Sequence, residues 1–177
     1  CGRAVDRMEI RIDSPDPFKQ VGEILTKGMN VMDGYYNNPE ASNTVLSPDG
    51  WLHTGDLGVL DPDGYLYIKG RSKSLILGPS GQNIYPEEIE DLLNAQPYIA
   101  ESLVIEREGK LVALVYPDAE AMKQNKISRE ALLKIIHETR KQINQQIPAY
   151  SQIARIEIHD EEFEKTPKRS IKRFLYQ

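Results

Sequence analysis

Residues Trp51 to Glu90 read WLHTGDLGVLDPDGYLYIKGRSKSLILGPSGQNIYPEEIE. The stretch holds an acid-bearing turn, Thr54-Gly55-Asp56, and a basic corner, Gly70-Arg71-Ser72-Lys73. A glycine-bearing loop, Gly78 to Gly81, then leads into a helix at Pro86. Leu57 to Leu60 and Tyr65 to Lys69 flank Asp61-Pro62-Asp63-Gly64. Proline fixes φ there and glycine supplies positive φ, so the spacing predicts a β-hairpin. A carboxylate and a guanidinium are expected at opposite ends of this strand pair. Because the hairpin returns the chain, Arg71 can come near Asp56. Such an arrangement can grip a sugar-phosphate ligand.

Upstream, Arg7 to Ile12 alternates apolar and polar residues, the pattern of a half-buried strand. Gly22 to Lys27 reads as a second strand, and Pro39 opens a short helix through Val45. Trp51 to Asp56 reads as a strand ending in a turn. Downstream, Leu75 to Leu77 is a short strand and Gly78 to Ile84 a loop. Pro86 starts a helix with acids in its first turn, facing the positive end of the dipole. Ile99 to Glu106 and Lys110 to Tyr116 are strands. Ser128 caps a long helix on which Leu132, Ile136, Ile143 and Ile147 recur at helical spacing. Ile153 to Ile158 is the last strand. Residues 72–177 thus read β, α, β, β, α, β, an α+β domain with helices on one face of a sheet.

Composition narrows the function. The 177 residues suffice for one domain or two small ones, and 40% apolar content can bury a core. A net charge of −5 argues against a nucleic-acid binder. No apolar run is long enough to span a bilayer, and no charged-then-apolar leader pattern is present. The one cysteine, Cys1, permits no internal disulfide, which fits a cytoplasmic setting. His53, His137 and His159 lack ligand spacing, so no zinc site is expected.

Each candidate residue also has a plain structural reading. Asp56 can accept bonds from two ribose hydroxyls, or simply cap its turn. Arg71 can donate its fork to ribose or phosphate oxygens, or form a surface ion pair. Gly81 can let a ligand approach, or belong to an ordinary loop. The basic tail, Lys165 to Arg173, can neutralise developing negative charge, or be a solvated and partly disordered end. Tyr35, Tyr36 and Trp51 read as core.

The ordered string GEILTKGMNVMDGYYNNPEA, DGWLHTGDLGVLDPDGYLYIKGRSKSLI, SGQNIYPEEIE and FEKTPKRSIKR resembles the AMP-forming acyl-CoA synthetases of the adenylate-forming superfamily. It looks most like a long-chain fatty acid–CoA ligase. The resemblance implies a carboxylate that attacks the α-phosphorus of ATP with Mg2+, followed by transfer of the acyl group from AMP to coenzyme A. It implies that Asp56 and Arg71 hold the ribose and that Lys73 is a hinge. Gly81 then lies on a loop lining the coenzyme A channel. Residues 1–71 would be the incomplete end of a large domain, a β-subdomain, and 72–177 a mobile small domain.

Two departures from the family pattern matter. The family carries a lysine in a Thr-Pro-x-Gly-Lys-Ile-like string, and Ser170 stands at that position here, so Lys168 and Lys172 become the candidate catalytic cations. The phosphate loop, the acyl pocket and the magnesium ligands are expected upstream, so the fragment alone should be inactive, with self-association of its truncated strands possible. The alternatives are a ligase for an aryl or succinylbenzoyl acid, and a stand-alone binding module. A membrane-surface association of the parent is also compatible with a fatty acid substrate.

Overall fold

The computed structural model describes residues 1–177, which divide into two compact units, Cys1–Lys73 and Ser74–Gln177. The first is an antiparallel meander of β1 (Met8–Asp13), β2 (Gly22–Gly28), β3 (Leu52–Leu60) and β4 (Leu66–Arg71), in that spatial order. A short helix, α1 (Pro39–Val45), precedes β3; Asn38 caps it by accepting from the Ala41 N–H at 3.0 Å. Ile12, Ile24 and Leu66 form the buried cluster, flanked by Ile10 and Leu60.

The expected pair of strands at 51–60 is one continuous strand. Asp56 therefore lies within β3, not at a strand end. Two irregularities make this possible. Between the pairs Leu25–His53 and Glu23–Leu57, β3 advances further than β2, so Thr54 to Asp56 leave the ladder. Gly55 takes φ 73°, a left-handed conformation that β-carbon sterics penalise. At Gly58 a β-carbon would sit 2.7 Å from the Tyr67 carbonyl oxygen and 2.9 Å from Ile24 Cδ1, so only glycine fits between the neighbouring strands.

The second unit contains a two-stranded ribbon, β5 (Ile76–Leu77) with β6 (Asn83–Ile84), where a plain loop was expected to follow Leu77. Its sheet has the order β7 (Ile99–Arg107), β8 (Lys110–Pro117), β9 (Ile153–Ile158). β7 and β8 are antiparallel, whereas β9 runs parallel to β8 after a helical crossover. That crossover holds α3 (Ala119–Gln124), unforeseen in the sequence, and α4 (Arg129–Gln146), whose cap Ser128 accepts from the Ala131 N–H. The stripe on α4 is Leu132, Ile136, Thr139 and Ile143; a buried threonine fills the slot between two isoleucines.

Side chains alternate across β8, and both of its faces are covered. Leu111, Ala113 and Val115 face Ile89 and Leu93 of α2 (Pro86–Asn94) and Ile143 of α4. Val112 and Leu114 face Leu103, Ile105, Phe163, Ile171 and Tyr176. Helices thus cover one face, as expected for an α+β domain. The C-terminal tail covers the other, which removes the alternative reading of it as a solvated, partly disordered end. The reason is physical: the returning hairpin buries Phe163 and packs the partly buried Ile171 and Tyr176 against the same cluster. Phe163 stacks on His159 at 4.8 Å between ring centroids, with Tyr176 edge-on.

None of the three aromatic residues expected in the core is buried. Tyr36 is fully exposed and Tyr35 half-exposed, because both lie in the turn between Gly34 and α1. Trp51 is only partly buried; the Arg11 guanidinium lies 4.8 Å from its ring centroid. No helix is long and apolar enough to cross a membrane.

Candidate functional site

The hairpin of β3 and β4 places Asp56 directly opposite Arg71. Arg71 Nε lies 2.7 Å from Asp56 Oδ1. The two therefore meet at the same, open end of the strand pair, where opposite ends were expected. Asp56 is half-buried and Arg71 two-thirds exposed. An exposed pair of this kind contributes roughly 0–1 kcal/mol to stability, so it is not the reason the fold holds. Only Nε of the guanidinium is engaged, which leaves both terminal nitrogens to donate and Asp56 Oδ2 to accept. A vicinal diol or a phosphate oxygen matches that donor and acceptor set.

Glu23 is a supporting residue that sequence reasoning missed. Its Oε1 accepts from the Gly55 N–H at 2.9 Å, and its Oε2 lies 2.9 Å from His53 Nδ1. Thr54 Oγ1 donates to the Ile24 carbonyl at 2.7 Å and accepts from the Asp56 N–H at 3.1 Å. These bonds satisfy the backbone groups freed by the bulge and hold the Asp56 carboxylate toward Arg71. The sequence signal was the Gly22-Glu23 start of a strand otherwise apolar on its inner face. It could not be recognised without the register.

Lys73 is exposed, in a 3-10 turn, Ser72–Ser74, at the last residue of the first unit. Gly81 lies in the β5–β6 turn with φ 78°, and nothing surrounds its missing side chain. Gly78 closes that turn by donating to the Gln82 carbonyl at 2.8 Å. The ribbon borders a cleft of about 430 Å³ lined by Ile76, Pro79, Gln82, Lys110 and Tyr150, among others. Gln82 Oε1 is buried without a hydrogen-bond partner.

The tail forms a small hairpin. The Thr166 N–H donates to Ser170 O at 2.8 Å, and the Arg169 N–H donates to Thr166 O at 2.8 Å. Arg169 adopts φ 61°, the left-handed position that closes such a turn. Lys165 pairs with Ile171 across the hairpin. Lys168 is exposed at the tip. Lys172 Nζ lies 3.1 Å from Glu164 Oε2. By strand alternation Lys172 shares a face with Ser170. Lys165 points the other way, where Glu101 at 2.7 Å and Glu162 hold its ammonium above the usual lysine range. Of the three histidines, His53 binds Glu23, His137 is exposed and His159 joins the aromatic cluster.

With this geometry in place, comparison with known proteins identifies the class. Residues 73–176 match the family described as AMP-binding enzyme C-terminal domain. The chain belongs to that family, and with it to the adenylate-forming superfamily. An indoleacetate–CoA ligase from Aromatoleum aromaticum is 45% identical over 123 residues, 65% of this chain and 24% of that protein. A 2-succinylbenzoate–CoA ligase from Bacillus cereus is 38% identical over 142 residues, 78% of this chain and 29% of that protein. Among solved structures, an O-succinylbenzoate coenzyme A synthetase from Bacillus subtilis in complex with AMP superposes with a TM-score of 0.76 at 28% identity. It covers 99% of this chain and 34% of that one. The chain spans a quarter to a third of the length of these relatives. The expected membership of the adenylate-forming superfamily holds, but a long-chain fatty acid specificity does not follow from it.

Proposed function

We propose that the chain is the C-terminal part of an AMP-forming ligase that joins a carboxylic acid to coenzyme A through an acyl-adenylate. The Asp56–Arg71 pair carries the reading: a carboxylate and a guanidinium with spare donors and acceptors, held by Glu23 and exposed to solvent. In this reading Asp56 accepts from the ribose hydroxyls of ATP and AMP, and Arg71 donates to the same nucleotide. Residues 1–71 belong to the nucleotide-binding large domain. Residues 72–177 are the mobile small domain, pivoting at Lys73. The Gly81 turn lies along the path of coenzyme A, and Lys168 and Lys172 are the cations able to meet the α-phosphate. No group of three or more carboxylate, imidazole or thiol side chains gathers to hold a metal, so no step is assigned to magnesium on this chain.

For the acid, the relatives favour the aryl or succinylbenzoyl alternative over a long-chain fatty acid, since they are named as ligases of indoleacetate and 2-succinylbenzoate. A cytoplasmic site of action accords with this chemistry. The test is ATP–pyrophosphate exchange by the full-length protein that carries this chain, across indoleacetate, 2-succinylbenzoate and fatty acids of several lengths. Exchange driven by the aromatic acids alone supports the reading. Exchange with fatty acids alone restores the specificity suggested by the sequence. Exchange with no acid sinks the proposal.

A further inference from the structure

Strand β7 is an edge of its sheet, and the backbone groups on an open edge need partners. At Val104 both partners are side chains. The Val104 N–H donates to Glu90 Oε1 at 2.6 Å, and the Val104 carbonyl accepts from Arg173 Nη1 at 3.2 Å. Glu90 and Arg173 also bind one another, with Arg173 Nη2 2.5 Å from Glu90 Oε2. Together they stand in for one residue of a neighbouring strand. Glu90 comes from α2, whereas Arg173 lies 83 residues later, directly after the tail hairpin. Both side chains are mostly buried, at 11% and 19% exposure.

Around this pair the tail has few other polar tethers. Glu87, one turn before Glu90, lies 3.6 Å from Arg173, and its second oxygen is buried without a partner. Lys165 binds Glu101 of β7 at 2.7 Å. Between these two tethers run Thr166 to Lys172, the segment that carries Lys168, Ser170 and Lys172. A guanidinium with two oxygens to satisfy cannot slide along its partner as an ammonium can, so it fixes both position and orientation.

We infer that Glu90 and Arg173 are a positioning pair that seats the C-terminal hairpin as a separately releasable unit and thereby sets where the Lys168 and Lys172 ammonium groups lie. The seating stands on geometry alone. Its consequence for catalysis rests on the function proposed above. Removing one partner leaves a buried charge opposite an unpaired backbone group, which is the costly way to break such a pair. Replacing both with amides keeps an acceptor for the Val104 N–H and a donor for its carbonyl. A charge swap does not, because the polarity of Val104 is fixed by the strand.

Hydrogen exchange on the 177-residue chain tests this. With Arg173→Gln, the Thr166, Arg169 and Lys172 amides are expected to exchange roughly 100-fold faster, while the β8 amides stay unchanged. Glu90→Gln with Arg173→Gln should recover most of the protection, and Glu90→Arg with Arg173→Glu should not. If Arg173→Gln does not fold, Arg173→Lys, which keeps charge but loses the fork, gives the same pattern in weaker form. Unchanged tail exchange overturns the inference, and so does uniform loss of protection across the whole unit.

In the full-length protein, Arg173→Gln should lower kcat of ATP–pyrophosphate exchange about 10- to 100-fold with KM for ATP nearly unchanged. A released hairpin with unaltered kcat overturns the positioning role. A wild type without exchange activity speaks against the proposed function and leaves the seating to hydrogen exchange.

Discussion

The two sheets of this chain solve the same burial problem differently. The sheet of β7, β8 and β9 is covered on both faces: α2 and α4 pack on one, and Phe163, Ile171 and Tyr176 on the other. The sheet of β1 to β4 buries just Ile12, Ile24, Leu25 and Leu66, while Tyr65, Tyr67 and Ile68 stand exposed. Each fully buried aliphatic side chain contributes about 1.5–3 kcal/mol. The second unit thus has a core of its own, and the first depends on register, tight glycines and side-chain bonds to its backbone. The contrast also separates roles: the well-packed sheet carries the tail hairpin with Lys168 and Lys172, and the thinly packed one carries the exposed Asp56–Arg71 pair.

The comparison breaks most directly at the core. Leu93→Ala, at a position with no exposure, should destabilise the second unit by about 2–5 kcal/mol in denaturant titration. The first unit's signal should be unaltered. Comparable loss in both units would show that they unfold as one.

Next in size is Gly58→Ala. Its β-carbon would press on the Tyr67 carbonyl and on Ile24, so a cost of about 1–3 kcal/mol is expected, confined to the first unit. An unchanged midpoint would mean that β3 and β4 can separate freely, contrary to a sheet held by close backbone approach.

Arg169→Gly should do the opposite. Arg169 holds φ 61° without steric need of its side chain, and glycine relieves that conformation. A gain of about 0.5–1 kcal/mol is expected in the second unit, with pyrophosphate exchange unaltered. A loss of stability would show that the Arg169 side chain makes contacts in solution.

Asp56→Ala should move stability least, by less than about 1 kcal/mol, since its partner is exposed. It should nonetheless raise KM for ATP in the full-length protein about tenfold or more. A large stability loss with unchanged KM would make the pair structural and remove it from the nucleotide site.

Two carboxylates of the second unit make its pH response sharper still. Burial pushes the Glu90 carboxyl up, against the opposing pull of Arg173. Its contribution is therefore present below the ordinary carboxylate value and is lost as pH rises through the raised folded value. Asp160 is held low by its hydrogen bonds from Arg129. Its contribution is present above the ordinary aspartate value and is lost as pH falls through the depressed one. Glu90→Gln and Asp160→Asn should accordingly remove opposite slopes from a stability–pH curve. Equal slopes would contradict the assigned burial of Glu90.

Much of this was legible in one dimension. Asp61-Pro62-Asp63-Gly64 announced its hairpin because proline and glycine constrain φ locally. Ser128 announced α4 because a cap and a helical stripe are both short-range. The same is true of Asp56 and Arg71, whose meeting followed from that one turn. The bulge at Thr54 to Asp56 was not legible, because it exists only relative to β2, and with it went the role of Glu23. Tyr35 and Tyr36 misled because apolar character does not reveal which side of a turn faces water.

The amino-acid sequence by itself determined the class of fold, the strands and helices with local punctuation, and the family. Each of these depends on nearest neighbours or on residue order. Only the tertiary structure decided that the tail is folded, that Glu23 holds the Thr54 to Asp56 bulge, and that Glu90 meets Arg173. Those outcomes rest on contacts between residues far apart in the chain, and no local pattern records which partner an edge strand or a buried carboxylate will find.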